Sequence, residues 1–428
     1  MVQLIQDILQ ELAPAAWRIE TNEEETAELF FVKKQLDTRR MKHVSRCSVT
    51  LFRDSGEGKR GFTKVSLTPG LSETEIREKL EVAYFAASFV MNPSYDMPDP
   101  LKESVPASPT PIMEQPLGKS AALMAGALLA GDDHPQAFLN SAEVFLSRTR
   151  SRILSSEGTD VSWADAKVSG EFVCQCKEPE DVEIYESFSY DALEEAALTA
   201  LVRQTLSFTA DRAKAQKALK SGRYDLVLSG SHLRTIFSYY LSRASAHMIY
   251  PGYSSWEKEN QVQKAGEGFE ALDLSLAATA PFSNEGIPMK DRVLLEKGVL
   301  KTIPGTNRFC RYLKTEPTGE YRKLRCDNPG SLSLTELKKG PCLWAVTFSD
   351  FQMDPMSGFF GGEIRLAYYI DEAGHATPLT GGSVSASILE TQDKLLLSKE
   401  RYTSARYEGP DSIRIKGVSV AGTEEEKA

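Results

Sequence analysis

The stretch from Ala345 to Leu379 limits what this chain can fold into more than any other. It reads Ala-Val-Thr-Phe-Ser-Asp-Phe-Gln-Met, then Asp354-Pro-x-x-Gly358-x-x-Gly361-Gly362, then Glu-Ile-Arg-Leu-Ala-Tyr-Tyr-Ile, then Asp371–Gly374, then His-Ala-Thr-Pro-Leu, with Thr-Gly-Gly-Ser behind it. Alternating runs rich in β-branched and aromatic residues are strands, and the glycines between them are turns or bulges. The pattern is therefore strand, glycine-broken turn, strand, short turn, strand. The glycines at 358, 361 and 362 also leave room for another backbone to approach closely. This makes Gly358, Gly361 and Gly362 candidate positions for peptide approach, against the plainer role of turns in a twisted sheet.

Length and charge narrow the class. A chain of 428 residues predicts two or three domains, and its 41% hydrophobic and 26% charged content is that of a soluble globular protein. The net charge of −10 argues against direct nucleic-acid binding, which needs a basic footprint. The run Arg39-Arg40-Met41-Lys42-His43 is the local exception and reads as a solvated loop or strand edge. Val2, Leu4, Ile5, Ile8, Leu9 and Leu12 follow a helical stripe with no basic leader, and the longest apolar run, 121–131, is too short to cross a bilayer. The expectation is a cytoplasmic protein with no membrane partner. Six scattered cysteines read as free thiols; Cys174 and Cys176 share a strand face, where packing is a stronger reading than a metal pair.

Three blocks and a linker follow from the punctuation. Residues 1–90 hold the N-terminal helix, strands near 26–34, 39–54 and 61–67, and a helix from Ser72 to about Val90, opened by the capping box Ser72-Glu-Thr-Glu75. Residues 91–117 are proline-rich, which reads as an extended connector without helix or central strand. Residues 118–222 carry a helix near 119–130, strand segments at 142–147, 153–155, 164–177 and 180–190, and a helix at 191–207 with Leu193, Ala196, Ala197, Ala200 and Leu201 on one face. Residues 223–428 open with a strand into one long helix, 231–250, continue to a hairpin at 291–300, and end in the strands described above. Segregated helices and antiparallel strands give the class α+β, with an N-terminal layered α/β part on an antiparallel sheet and a C-terminal β-rich domain.

Several elements in this order, including Ser156-Glu157-Gly158 between strands, Gly286-Ile-Pro288 before Arg292, Gly298-Val-Leu300 and Asn328-Pro-Gly330, resemble the TldD/PmbA family, whose active members are metal-dependent peptidases. The likeness is strongest over 286–370 and weakest before residue 90. In active members, the resemblance implies, the helix after the first strand of the last domain carries His-Glu-x-x-x-His. Two imidazoles there hold the metal and the carboxylate activates water, whose pKa a divalent cation lowers. The equivalent helix here has Ser238, Tyr239 and Arg243 at those positions, and the late Cys ligand would fall near Tyr407–Gly409, around Glu408. Ser238, Tyr239, Arg243 and Glu408 are thus candidate cavity-lining residues at a lost metal site. No catalytic, cofactor-binding or metal-ligating residue is assigned. His247 lies on the stripe of Leu233, Phe237 and Tyr240 and reads as a core residue, whereas His375 reads as exposed in a turn.

Other site types fail. Gly118-Lys119-Ser120 looks like the end of a phosphate loop, but Met113 stands where the first glycine belongs and prolines replace the strand before it. No Gly-x-Ser-x-Gly elbow occurs. The resemblance implies a chain of the PmbA (TldE) branch, a pseudoenzyme that pairs with a zinc-bearing TldD-like metallopeptidase. It implies proteolysis or peptide maturation of unfolded peptides in a joint cavity. Alternatives are a stand-alone homodimeric peptide-binding protein and a divergent metallopeptidase. The family's older label, modulator of DNA gyrase, fits an indirect effect better than DNA contact by an acidic chain.

Overall fold

A computed structural model describes residues 1–216 and 220–422. Its first half is built on one antiparallel sheet whose central strands are unusually long: Ala16–Val32, Gln35–Ser55, Ala137–Ser155 and Asp160–Cys176. At roughly 3.3 Å per residue these span about 55–70 Å. The order across the sheet is Asn92–Pro93, Lys59–Leu67, Gln35–Ser55, Ala16–Val32, Ala137–Ser155, Asp160–Cys176 and Lys102–Val105, with Val182–Tyr190 also on Asp160–Cys176. The expected pieces 142–147 and 153–155 are one strand. Basic residues at 148, 150 and 152 lie opposite the acidic run 23–25 and its neighbours, so cross-strand charge pairing carries the pattern through a segment with little apolar alternation.

Helices cover this sheet in two separate patches. Val2–Leu12 and Glu73–Ala86 bury Ile5, Ile8, Leu9, Ile76 and Leu80 against Ile19, Val49 and Leu51. Leu117–Ala130 and Glu195–Ala213 bury Met124, Leu128, Leu198, Val202 and Leu206 against Leu29, Val144, Leu146 and Phe172. The second helix of that pair corrects the sequence reading. Of the expected face, Leu193 and Leu201 pack against the core, but Ala196, Ala197 and Ala200 are exposed, and Leu198 and Val202 face the sheet. Alanine tolerates either side of a helix, so its repeats carried no directional information. The capping box at Ser72 and Glu75 is present, with the Ser72 amide donating to the Glu75 carboxylate at 2.8 Å.

The proline-rich connector is more ordered than its composition suggests. Lys102–Val105 runs parallel to Asp160–Cys176 at the sheet's edge. Pro111–Glu114 forms one helical turn with Pro111 in the first turn, where a missing N–H costs nothing, and Thr110 as its cap.

The second half contains two sheets around the largest core. In the first, Cys342–Met353, Gly222–Ser229, Ser412–Ala421, Ser383–Ser387 and Phe359–Ile370 pair in sequence, and Phe359–Ile370 pairs back onto Cys342–Met353, which closes a ring of strands. The other runs Val299–Leu300, Arg292–Glu296, Leu274–Ala277, Lys323–Cys326, Tyr407–Pro410 and Arg401–Thr403. The helix Ser231–Ala244 lies in this core and is shorter than the expected 231–250. Ser245 adopts an extended ψ of 143°, and a separate turn, Ala246–Ile249, comes after it. The architecture matches the expected α+β class. No helix among the described residues is long and apolar enough to cross a membrane.

Candidate functional site

The helix Ser231–Ala244 follows the strand Gly222–Ser229 through Gly230, whose φ of +62° suits glycine. Leu233, Ile236, Phe237 and Tyr240 anchor the helix; each is fully buried. The break at Ser245 turns the chain out of the helical stripe. His247 is therefore exposed rather than in the core. The packed histidine is His232: its Nδ1 lies 2.9 Å from the Ser229 carbonyl, and its ring sits edge-on to Phe348 and Phe351 at 5.1 and 5.2 Å. Burial pushes His232 below the usual imidazole range, so it is a neutral packing residue.

The four residues at the expected metal position are engaged with the chain itself. Ser238 donates to the Thr235 carbonyl at 2.6 Å, the common back-bond of a helical serine. Tyr239 is 2% exposed, and its ring meets those of Tyr240 at 5.4 Å and Trp256 at 5.9 Å. Arg243 donates from an Nη to the Tyr253 carbonyl. Glu408 does not join them. Tyr407, its neighbour in the strand, faces the helix and packs on Phe237 at 6.2 Å, so strand alternation turns Glu408 to the other side. There it lies 3.9 Å from the Lys323 ammonium. The structure thus brings Ser238, Tyr239 and Arg243 onto one helix with Tyr407, not Glu408, against it.

The electrostatics of this region disfavour a cation. Arg234, one turn before Ser238, has no hydrogen-bond or ion-pair partner among the described residues. Burial and the nearby Arg406 guanidinium both disfavour its charged form. Burial likewise raises the Tyr239 and Tyr240 phenols, so neither supplies an anionic ligand near neutral pH. Among the described residues, no three His, Cys, Asp or Glu side chains converge as a metal site requires. The groups present do not fit the metal of an active peptidase, and no hydrolytic step can be drawn through them.

Two of the three glycines lie against the chain's own backbone, and the third lies against side chains. A Cβ on Gly361 would lie 2.5 Å from the Val384 carbonyl oxygen, and one on Gly362 would lie 2.2 Å from that of Asp350. Gly358 has φ +73°, and a side chain there would press on Tyr239, Ile388 and Leu389. Gly358 is therefore where the Asp354–Gly358 turn meets the Tyr239 helix. The aromatic fill from Trp256 was missed in the sequence, because that tryptophan lies in an irregular loop with no periodicity to locate it.

Residues 221–422 match the profile of the PmbA/TldA metallopeptidase C-terminal domain. A protein named "Metalloprotease" from Methanothermobacter thermautotrophicus (strain Delta H) is 24% identical over 330 residues, covering 67% of each chain. Among solved structures, TldE from Thermococcus kodakarensis superposes with a TM-score of 0.80 at 15% identity, over 98% of this chain and 100% of that one. A DNA-gyrase-modulator candidate from Thermotoga maritima MSB8 gives a TM-score of 0.79 at 15% identity, with 98% and 100% covered. At these identities the structural likeness establishes the fold.

Proposed function

The chain belongs to the PmbA/TldD family, and from that premise we propose that it is a non-catalytic subunit that pairs with a separate TldD-like metallopeptidase. The observation that carries this reading is the state of the helix Ser231–Ala244. Where a peptidase of this plan needs two imidazoles and a carboxylate, this helix has a back-bonded serine, a packed tyrosine and an arginine tied to a carbonyl. A guanidinium repels a divalent cation rather than holding one. In the proposed complex the partner carries the zinc and cuts, and this chain shapes a cavity that admits unfolded peptide and excludes folded protein. Among the described residues, the outer side of 35–46 in the strand Gln35–Ser55 has no neighbour in the sheet, since Lys59–Leu67 pairs only with Cys47–Ser55. Such an edge binds an extended peptide by main-chain hydrogen bonds with little sequence preference. The reading places this work in the cytoplasm, in peptide maturation or degradation.

Co-expression with a TldD-like chain tests it. The expected result is co-elution on size exclusion, about one zinc per pair, and peptide cleavage faster than by the partner alone. Separate elution with unchanged cleavage overturns the proposal. The name of the Methanothermobacter relative favours a second reading, a peptidase with a different ligand set. Chelator-sensitive cleavage and stoichiometric metal in the isolated chain would establish that reading instead.

A further inference from the structure

Two segments away from the Ser231–Ala244 helix meet in space. The basic run Arg39–His43 lies in the strand Gln35–Ser55, and Gly118-Lys119 lies in the first turn of the helix Leu117–Ala130. All of these but Arg40, together with Glu25 and Arg148, line a cavity of about 580 Å³. Its position follows from the strand lengths. On the strand Ala16–Val32, Ile19 lies under the first helix pair and Ala27, Leu29 and Phe31 lie under the second, all on one face by parity. Neither helix pair covers the stretch between, so the sheet is bare beside the start of Leu117–Ala130. Register sets Glu25 opposite both His43 and Arg148, which brings the basic side chains to this spot.

The charges at the cavity do not balance. Arg148 is fixed, with its Nε donating to the Ile112 carbonyl at 2.6 Å and an Nη 3.7 Å from Glu25. Lys42 shares the carboxylate of Glu28 with Arg40. Arg39 and Lys119 have no carboxylate partner among the described residues. A Cβ on Gly118 would sit 2.7 Å from an Arg39 Nη, so the absent side chain lets that guanidinium lie over the helix's first turn. That turn contains no acidic residue and no side-chain cap. Among the lining residues the one acid, Glu25, stands against Arg39, Lys42, Lys119 and Arg148, which leaves 4 − 1 = 3 positive charges around one cavity, in a chain whose net charge is −10. Like charges gathered this closely repel unless an anion sits among them. A single carboxylate offsets one of the three; a compact anion with several charges offsets all. The volume falls within the roughly 300–1,000 Å³ of small-molecule sites.

We propose that this cavity binds a small phosphate-bearing anion, gripped by Arg39 and Lys119 and backed by Arg148 and Lys42. Isothermal titration of inorganic pyrophosphate into the full chain tests it, at low and high salt, with Arg39→Ala, Lys119→Ala and the distant Lys79→Ala. The expected result is saturable one-to-one binding that weakens with salt, weakens about tenfold or more in each of the first two variants, and is unchanged in Lys79→Ala. Arg39 and Lys119 lie at the surface, so both variants should retain the parent's melting temperature. No saturable binding at millimolar pyrophosphate, or equal binding in all variants, overturns the proposal. So does a hexaglutamate peptide that binds as tightly as pyrophosphate, because that marks only general surface charge.

Discussion

Two residues show how charge is used inside this fold. Arg414 ties three elements together: Nε and an Nη donate to the Asp225 carboxylate at 3.0 and 2.7 Å, and the other Nη reaches the Leu337 and Lys339 carbonyls. Its side chain is 12% exposed and that of Asp225 24%. Removing one member of such a pair strands the other charge, so Arg414→Ala should cost about 3 kcal/mol in urea unfolding. Arg414→Lys should restore little, because an ammonium lacks the planar fork that serves carboxylate and carbonyls together. Glu28 makes a pH-dependent contribution. Burial pushes its carboxyl up, but hydrogen bonds from Lys42 and Arg40 more than reverse this, leaving the group below the usual glutamate range. A lowered acid binds its proton less readily folded than unfolded. Its stabilisation is therefore complete above about pH 5 and is lost as pH falls through the lowered value. Its partners are themselves exposed and screened, so the term is about 1 kcal/mol. Glu28→Gln should flatten the acid limb of the stability curve between about pH 5 and pH 3 by that amount and leave its slope near pH 8 unchanged.

Elements were legible where their signals are local. The capping box at Ser72 forms as its four residues indicate. The hairpin at 292–300 turns at Lys297 and Gly298, both with positive φ. Pairing order was not legible, because Gly222–Ser229 lies between Cys342–Met353 and Ser412–Ala421, two partners far from it in sequence. The site was legible in part for the same reason. The position of Ser238, Tyr239 and Arg243 on one helix follows from spacing, but the ring of Trp256 and the outward turn of Glu408 come from strand packing. The Glu195–Ala213 helix gives a direct check of the corrected face. Leu198→Ala should cost about 2–5 kcal/mol, since Leu198 is fully buried against the sheet, while Ala200→Ser should stay within about 0.5 kcal/mol. Equal costs in chemical denaturation would put the alanines of the sequence-derived face in contact with the sheet.

At the scale of the whole molecule, the two halves meet through a small set of contacts between larger cores. Ile184 and Phe208 from the first half pack with Trp344, Leu366 and Tyr368 from the second. The Tyr368 hydroxyl donates to Asp211, and the Ala405 amide donates to the Ser189 carbonyl at 3.1 Å. A second contact sets Trp163 against Phe282 at 5.8 Å. A third joint sets Tyr312 on Tyr95 at 5.7 Å and Arg308 over Phe62 at 5.3 Å, and each joint is smaller than the cores on either side, so cooperativity between the halves rests on these separate contacts. Phe208 touches both Trp344 and Tyr368, at 6.0 and 6.4 Å, and it contributes little to the sheet core behind it. Phe208→Ala should therefore weaken coupling more than it weakens either half. Calorimetry should show the parent's unfolding split into two transitions, with the later one near the parent's temperature. Loss of both together in a single, lower transition would mean that the halves are held by more than this joint.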